Sequence, residues 1–346
     1  MNESDSYVTL KRYVLGASLD AGCFDIRERP IPRPGEGQVL LQALALSADP
    51  YMRSRMTGQD NFFLPQYPLG APIESLGIAR VVATREPHYK EGDLVQGLVE
   101  WANYSVWNGR GKLDGGGVLL PVASGIPKIS HALGVYGLNG LTALFGIVHV
   151  ARPKPGETLV LSGAAGGVGT IAGQIARIMG ARVVGLAGSA AKCELLVNQL
   201  GFDQALDYRS PSFQSDLQSS VPHGADIYFD NVGGKLSQSI MWQMRRQARV
   251  IECGQISTYE DPSGGWQVDI RPIHAKGLRW ESFTTAHFQE FVPGAIAQLI
   301  HWVAVGKLTV LETEYRGLES APQAIIGVMS GENIGKAVVN LTTMAA

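Results

Sequence analysis

Cysteine is scarce in this sequence, and charge of either sign is not in excess. The only three cysteines among 346 residues, Cys23, Cys193 and Cys253, lie far apart. Their odd number and wide spacing argue against a disulfide framework and fit a reducing cytoplasm. Lysine and arginine total 29 against 31 aspartate and glutamate, so neither nucleic acid nor an anionic membrane is the expected partner. A small or neutral partner fits this balance better.

The sequence also lacks the usual signals for export and for membrane insertion. Its amino terminus, MNESDSYVTLKR, has no basic block followed by an apolar block, so we expect no secretion and a cytoplasmic location. One uncharged run, residues 133–151, is long enough to raise the question of a membrane span. Its glycines together with Asn139 and His149 instead favour a helix buried between domains.

Motifs for metal binding and for acyl transfer are missing as well. There is no C-x-x-C, and the seven histidines are scattered without an H-E-x-x-H pair or a histidine–cysteine group. Zinc is therefore not expected as a cofactor. A G-x-S-x-G nucleophile elbow is also absent, which argues against a serine hydrolase.

The order of apolar runs predicts two kinds of architecture in one chain, and the length suits two domains. From about Tyr7 to Pro127, short β-like runs are broken by glycine and proline, which predicts a compact, mostly β domain. Beyond residue 131, strand-length apolar runs alternate with helical stretches, the pattern of βαβ units and a parallel sheet. Residues 287–306 read as an amphipathic helix and 334–342 as a closing strand. The predicted fold class is α/β.

A glycine-rich turn follows the strand TLVLSG and precedes the helix TIAGQIARIMG. Gly163, Gly166, Gly167 and Gly169 fall in this turn, where missing side chains let backbone N–H groups approach a pyrophosphate at a positive helix end. The spacing departs from G-x-G-x-x-G, and a tight βα turn without a ligand remains the alternative interpretation.

A lysine stands where an NAD-binding site would carry an acid. About twenty residues past the loop, Asp or Glu binds the ribose of NAD, but the second strand ends in LAGSAAK. A ribose 2′-phosphate would instead be bound by Ser189, Lys192 and exposed amides, because they supply hydrogen-bond donors and positive charge. We therefore predict NADPH rather than NADH, with Lys192→Ala raising the KM for NADPH far more than that for NADH. A solvated lysine in the first helical turn is the alternative.

Taken together, the motifs resemble those of the zinc-free medium-chain dehydrogenase/reductase superfamily. The branch resembled holds prostaglandin reductases, leukotriene B4 12-hydroxydehydrogenases and alkenal double-bond reductases, including curcumin-reductase-like members. The motifs are LSADPYMR, GLNGLTALFG, SGAAGGVGTIAGQIA, GSAAK, GFDQALDY, YFDNVGG, CGQISTYE and GENIGKAVV, and they span nearly the whole chain. The branch often has an acidic residue just before the lysine, where Ala191 stands here, and the loop TGQDNFFLP has its own composition.

This resemblance implies a Rossmann doubly wound parallel sheet, residues 131–307, enclosed by a GroES-like, mostly β catalytic domain, residues 1–130 and 308–346. It further implies NADP(H) as cofactor and a homodimer. Gly166, Gly167 and Val168 would line the pyrophosphate, Ser189, Lys192 and Tyr208 would hold the adenosine phosphate end, and Asn231, Cys253 and Ser257 would lead to the nicotinamide. The remaining expected cofactor contacts are Gly188 and Asn333.

The expected reaction is reduction of a carbon–carbon double bond conjugated to a carbonyl, in a small hydrophobic enone or alkenal. Hydride reaches the β-carbon, hydrogen-bond donors stabilise the enolate oxygen, and a proton reaches the α-carbon from a tyrosine or water. Tyr259 is the first candidate donor, with an aromatic wall as its alternative role. Tyr51 and Arg53 are the next candidates, although Arg53 could instead pair with Asp49 or another nearby acid and so hold the loop.

The substrate pocket and the acceptor are less constrained by the sequence. Phe62, Phe63 and Trp266 could line an apolar pocket, or could close a core or a dimer contact. The segment EDPSGGW, residues 260–266, is a candidate lid. A quinone reductase of the same superfamily and a non-catalytic NADPH-binding protein are the competing hypotheses, because fold alone does not settle function.

Overall fold

The computed structural model describes residues 4–59, 64–109, 119–260 and 267–342 of the chain. Its strands are β1 (Ser4–Leu10), β2 (Phe24–Pro30), β3 (Val39–Ala48), β4 (Glu74–Thr84), β5 (Leu94–Glu100), β6 (Tyr104–Trp107), β7 (Leu120–Pro121), β8 (Thr158–Leu161), β9 (Arg182–Ala187), β10 (Gln204–Asp207), β11 (Ala225–Asp230), β12 (Met244–Glu252), β13 (Arg279–Ser282), β14 (Glu312–Arg316) and β15 (Lys336–Asn340).

Helices are concentrated in the second half of the chain. The α-helices are α1 (Tyr51–Ser54), α2 (Leu138–Leu144), α3 (Gly169–Ile178), α4 (Ala190–Asn198), α5 (Phe213–Ser220), α6 (Gly234–Trp242), α7 (Arg271–Lys276), α8 (Val292–Ala304) and α9 (Ala321–Ser330). Short 3₁₀ segments lie at Ala21–Cys23, Ile129–Ala132, Ile256–Thr258, Thr285–Phe291 and Leu318–Ser320, and a π-helix continues α2 at Phe145–Ala151.

The strands from the first third of the chain form a mostly antiparallel sheet that the end of the chain completes. Its order is β14-β15-β3-β4-β5-β7, with β6 paired to β3, while β1 and β2 form a separate pair. β15 runs antiparallel to β3, with Val339 opposite Leu46. The core beside this antiparallel sheet holds a fully buried Trp101, whose Nε1 donates to Ser75 Oγ at 2.8 Å. The chain thus leaves this β-rich domain and returns to it.

The second sheet is fully parallel, with strand order β10-β9-β8-β11-β12-β13. All six residues of β11 and the three apolar ones after Thr158 in β8 are buried, because helices cover both faces. The strand order reverses direction between β8 and β11, so loops leaving their carboxyl ends diverge and open a crevice there. This arrangement confirms the predicted α/β fold class, a doubly wound parallel sheet with a β-rich domain.

The apolar run at residues 133–151 packs onto the parallel sheet. It forms α2 and the π-helix, and Phe145, Ile147 and Ala151 are buried in the core shared with α3 and α8. A Cβ on Gly146 would lie 2.6 Å from ring atoms of both Phe229 and Phe283, so glycine is needed for this close contact. Within the described residues, no helix has the length and apolar character needed to cross a membrane.

Candidate active site

The turn between β8 and α3 is held by contacts that only glycine permits. Gly163 has a φ of +60°, and its carbonyl accepts the N–H of Gly166 at 3.0 Å. A Cβ on Gly169 would lie 2.3 Å from that same carbonyl oxygen. Gly166, Gly167 and Val168 therefore pass close to the sheet edge and into the first turn of α3, where backbone N–H groups and the helix dipole favour an anion.

A side chain from α2 lies against this loop. A Cβ on Gly167 would be 2.9 Å from Asn139 Nδ2. Asn139 is 8% exposed, and its Oδ1 is buried without a hydrogen-bond partner among the residues described. A buried carboxamide oxygen without a partner beside a glycine loop fits a ligand that donates a hydrogen bond, such as a ribose hydroxyl. Sequence reasoning had not chosen Asn139 as a site residue, although an asparagine in an otherwise apolar, glycine-rich run was a signal.

The end of β9 brings together the residues expected at the adenosine phosphate end. Ser189 is the N-cap of α4, and its hydroxyl accepts the N–H of Lys192 at 3.4 Å. A Cβ on Gly188 would be 2.9 Å from Tyr208 Oη. The Tyr208 hydroxyl thus lies directly over the backbone at the end of β9.

Lys192 connects α4 to the returning end of the chain. Its Nζ donates to the carbonyl of Gly331 at 2.5 Å and to that of Asn333 at 2.7 Å. Partial burial lowers the Lys192 pKa, and the positive charge of Arg209 lowers it further. Lys192 is therefore a partly buried cation already fixed in place, rather than a freely solvated lysine.

The segment after α9 lies along the glycine loop. The N–H of Gly335 donates to the carbonyl of Ala165 at 2.8 Å, and Gly335 pairs with Gly166 in an isolated parallel bridge. The Asn333 Nδ2 donates to the carbonyl of Gly335 at 2.8 Å. Asn333 therefore lies near Lys192 and the loop, with its side chain turned toward its own chain.

A buried carboxylate organises the end of β11. Asp230 is fully buried and accepts hydrogen bonds from the hydroxyls of Ser162, Tyr228 and Ser237. It also accepts the N–H groups of Val232 at 2.9 Å and Gly233 at 3.0 Å. This set of donors fixes the turn after β11, and sequence reasoning had not chosen Asp230 because its partners come from two other segments.

The ends of β8, β11 and β12 meet at Asn231 and Cys253. Asn231 Nδ2 donates to the carbonyl of Ser162 at 2.7 Å, and the Cβ atom of Asn231 lies 3.3 Å from where a Gly163 Cβ would be. The Cys253 N–H donates to the carbonyl of Asp230 at 2.8 Å. Burial raises the pKa of the Cys253 thiol, so this thiol stays neutral.

Tyr259 lies just beyond this point, after the 3₁₀ turn Ile256–Thr258. Its Oη accepts the backbone N–H of Gln255 at 3.3 Å, which leaves the hydroxyl proton free to be donated elsewhere. Burial raises the pKa of Tyr259, so the phenol stays protonated. Ser257 Oγ donates to the carbonyl of Val232 at 2.7 Å and so ties the same turn to the end of β11.

Tyr51 and Arg53, on α1, are placed differently from each other. The Tyr51 hydroxyl oxygen is buried near the backbone of Leu76 without a well-formed hydrogen bond to any described residue, and burial raises its pKa well above the usual range. Arg53 is fully buried, and its Nη2 donates to the carbonyls of Ala17 at 2.7 Å and Glu260 at 3.5 Å. Arg53 therefore links α1 to the segment that carries Tyr259.

The alternative pairing of Arg53 with Asp49 is not present. Asp49 receives hydrogen bonds from Lys336 Nζ and Ser47 Oγ, and Lys336 Nζ also donates to the carbonyl of Ala48 at 3.1 Å. Asp49 and Lys336 are each 4% exposed. This buried pair joins β15 to the end of β3, close to the glycine loop, since the Lys336 Cα is 3.6 Å from the position of a Gly167 Cβ.

Parts of the expected pocket lie outside the described residues. Phe62 and Phe63 fall in residues 60–63, and Trp266 with most of the candidate lid falls in residues 261–266.

The donor side chains do not fit a zinc site. Within the described ranges, no group of three or more histidine, cysteine, aspartate or glutamate side chains could hold a metal ion. Cys23 is buried in the core of the β-rich domain, whereas Cys193 and Cys253 pack against the core of the parallel sheet.

The residues at the glycine loop and at the end of β9 fit a phosphorylated dinucleotide. A glycine loop at a helix start would hold the pyrophosphate, and Ser189, Lys192 and Tyr208 would hold an adenosine phosphate. The strand ends at Asn231 and Cys253 continue this path toward Tyr259. Arg209, whose guanidinium carbon lies 3.3 Å from the position of a Gly188 Cβ, adds a cation that sequence reasoning missed.

The chain is similar to known oxidoreductases. Two family models match, an N-terminal domain of oxidoreductase over residues 7–113 and a zinc-binding dehydrogenase over residues 167–303. A 2-alkenal reductase (NADP(+)-dependent) of Nicotiana tabacum is 35% identical over 97% of both chains. An NADPH-dependent curcumin reductase of Escherichia coli is 36% identical over 92% of both. The crystal structure of CurA from Vibrio vulnificus in complex with NADPH superposes with a TM-score of 0.89 at 31% identity, covering 98% of this chain and 99% of that one.

Proposed function

Because the chain belongs to the zinc-independent medium-chain dehydrogenase/reductase family, in its alkenal and enone double-bond reductase branch, we propose that Tyr259 is its catalytic acid. The protein is an NADP-dependent oxidoreductase that acts on the carbon–carbon double bond of α,β-unsaturated aldehydes and ketones. The single observation that supports the assignment of the acid is the Gln255 N–H donated to Tyr259 Oη beside the ends of β11 and β12.

The cofactor would be held by residues that follow five strands of the parallel sheet, β8 to β12, and by Asn333 in the segment before β15. Gly166, Gly167 and Val168 bind the pyrophosphate through backbone N–H groups, and Ser189, Lys192 and Tyr208 bind the adenosine phosphate. Asn231, Cys253 and Ser257 orient the nicotinamide end, with Gly188 and Asn333 completing the groove. When bound, NADPH supplies the hydride that reaches the β-carbon of the substrate.

The protein's own residues then stabilise the negative charge of the enolate and supply the proton for the α-carbon. Negative charge develops on the carbonyl oxygen, where a hydrogen-bond donor stabilises the enolate by about 3–4 kcal/mol. Tyr51 serves as that donor, since its hydroxyl is free of a well-formed hydrogen bond to the described residues. Tyr259 transfers its proton to the α-carbon, and the Gln255 N–H stabilises the phenolate oxygen that results. Solvent returns the proton to Tyr259, and Arg53 acts as a positioning residue between the two tyrosine-bearing segments.

The experiment that tests this function is a screen of NADPH oxidation over alkenals, cyclic enones, prostaglandin-type enones and quinones. Saturated carbonyl products from alkenals or enones, with slower turnover of quinones, are expected. Turnover of quinones alone, or cofactor binding without any turnover, would contradict the function.

Three further features of the protein belong to the same proposal. The domain limits are 1–130 with 308–346 for the β-rich domain and 131–307 for the Rossmann domain, supported by the sheets that each part forms. The protein works in the cytoplasm and as a homodimer. The edge strand β13, which pairs only with β12 in the parallel sheet among the described strands, is consistent with assembly there. Light scattering coupled to size-exclusion chromatography tests the oligomer.

A further inference from the structure

Two side chains from consecutive residues cover the backbone of Gly188. The Tyr208 hydroxyl would lie 2.9 Å, and the Arg209 guanidinium carbon 3.3 Å, from a Cβ placed on that glycine. The guanidinium also lies over the Tyr208 ring, 5.7 Å from its centroid. Since Gly188 directly precedes the N-cap of α4, the Arg209 side chain extends to the helix start where Ser189 and Lys192 lie.

Apart from its position over the Tyr208 ring, the Arg209 guanidinium has no polar contact with the described residues. Arg209 is exposed, and across residues 4–59, 64–109, 119–260 and 267–342 its guanidinium forms neither a hydrogen bond nor an ion pair. The nearby Asp207 carboxylate accepts the backbone N–H of Arg209 at 2.9 Å instead. Arg245, by contrast, pairs with Asp226 at 2.6 Å. All five N–H donors of Arg209 are thus available to an anion.

Lys192 cannot satisfy a phosphate dianion by itself. Two of its three ammonium donors point to the carbonyls of Gly331 and Asn333, which leaves one. The charge of Arg209 is close enough to Lys192 to disfavour the lysine's protonated form. Two like charges held this close repel each other, and an anion shared between them removes that repulsion.

We propose that Arg209 is a specificity-determining residue, whose guanidinium grips the 2′-phosphate of NADPH together with the third donor of Lys192 and the Tyr208 hydroxyl. A ribose 2′-phosphate carries close to two negative charges and three acceptor oxygens. The planar fork of an arginine matches two of these oxygens at once. This inference rests on the proposed function only in taking NADPH as the hydride donor.

The test uses the adenosine half of the cofactor, so that it does not depend on turnover. Binding of 2′,5′-ADP and of 5′-AMP to the full chain is measured by calorimetry for the wild type, Arg209→Ala and Arg209→Lys. Arg33→Ala, at an exposed arginine in the loop after β2, is the matched control. We expect Arg209→Ala to raise the Kd for 2′,5′-ADP about 10–100-fold and the Kd for 5′-AMP less than about threefold. The Kd of Arg209→Lys for 2′,5′-ADP should fall between those of the wild type and Arg209→Ala, because lysine keeps the charge but lacks the planar guanidinium.

Two results would overturn the inference: unchanged affinity of Arg209→Ala for 2′,5′-ADP, or an equal loss for both nucleotides. Melting temperatures within about 2 °C of wild type would confirm that the variants are folded. In parallel, kcat on an enone at saturating NADPH separates the two proposals. A wild type that reduces no enone refutes the proposed function, whereas the calorimetric comparison still decides the role of Arg209.

Discussion

Lys192 Nζ donates a hydrogen bond to the backbone carbonyl of Asn333 across 2.7 Å, and so joins helix α4 to the segment that re-enters the β-rich domain. Lys192 Nζ donates a second hydrogen bond, to the carbonyl of Gly331 in the same segment. Because Gly335 in the same segment pairs with the glycine loop at Gly166, the lysine also affects how the loop is held. The side chain proposed to bind the cofactor phosphate therefore also makes a contact between domains.

Lys192→Ala should consequently change two properties at once. The loss of a cation raises the KM for NADPH about tenfold, with a smaller rise for NADH. The loss of two hydrogen bonds from a partly exposed ammonium costs about 1–2 kcal/mol of stability, and amide exchange over residues 331–335 becomes faster. Steady-state kinetics, melting temperature and hydrogen exchange measure these changes. Lys90→Ala, at an exposed lysine of the β-rich domain, is the control; unaltered exchange in Lys192→Ala would refute the joining role.

Gly169→Ala should prevent the loop from forming. Its Cβ would lie 2.3 Å from the carbonyl oxygen of Gly163, a clash of backbone atoms that no rotamer change relieves. We expect a loss of stability above about 2 kcal/mol and no saturable NADPH binding. Gly294→Ala is the matched control, since nothing lies within 4 Å of its Cβ position on the exposed side of α8. That control should stabilise the protein by about 0.5–1 kcal/mol. Normal NADPH fluorescence titration of Gly169→Ala would show that the clash is relieved.

Much of the parallel sheet was predictable because its strands are apolar on both faces. β8, β9 and β11 are buried throughout most of their length, and helical runs separate them in sequence. β13 was missed because Arg279, Glu281 and Ser282 are exposed and only Trp280 is partly covered, as befits an edge strand. The β-like sequence from residue 91 to 107 forms two strands, β5 and β6, because the chain bends at the buried Trp101 and its neighbours.

The candidate site could be proposed from the sequence where its signal is local. The glycine loop and Lys192 both follow directly from a strand end, and short motifs carry that information. Contacts between distant segments left no local pattern: Lys192 meets carbonyls 139 and 141 residues away. Arg209 was missed for the same reason, because Gly188, which it lies against, follows another strand, whereas Asn139 had a local signal but its contact with Gly167 did not.

Tyr259→Phe tests the proposed acid. Removing the hydroxyl should lower kcat on an enone about 100-fold and leave the Kd for NADPH unchanged. Tyr51→Phe removes a hydrogen bond to the enolate oxygen but no transferable proton, so kcat should fall about 100–1000-fold, the equivalent of about 3–4 kcal/mol. The solvent deuterium isotope effect on kcat should be altered in Tyr259→Phe alone. Intact turnover in Tyr259→Phe together with inactive Tyr51→Phe would reverse the two roles.

Glu252, at the end of β12, gives the protein a pH-dependent stability. Burial first, and the charge of Asp230 second, raise the pKa of Glu252 from 4.5 to about 7. The folded state therefore holds this proton more tightly than the unfolded state does. Its stabilising contribution is complete below about pH 4.5 and is lost as the pH rises through about 7.

Glu252→Gln should remove this dependence while keeping an acceptor for Trp280 Nε1, which donates to Glu252 Oε2 at 3.2 Å. The full shift corresponds to about 3 kcal/mol, and because solvent reaches part of this half-buried side chain, we expect about 1–2 kcal/mol. At pH 8 the variant should melt several degrees above the wild type, and at pH 5 the difference should shrink toward zero. Melting curves from pH 5 to 8 measure this, and parallel curves for the two proteins would mean that Glu252 is ionised in the folded state across that range.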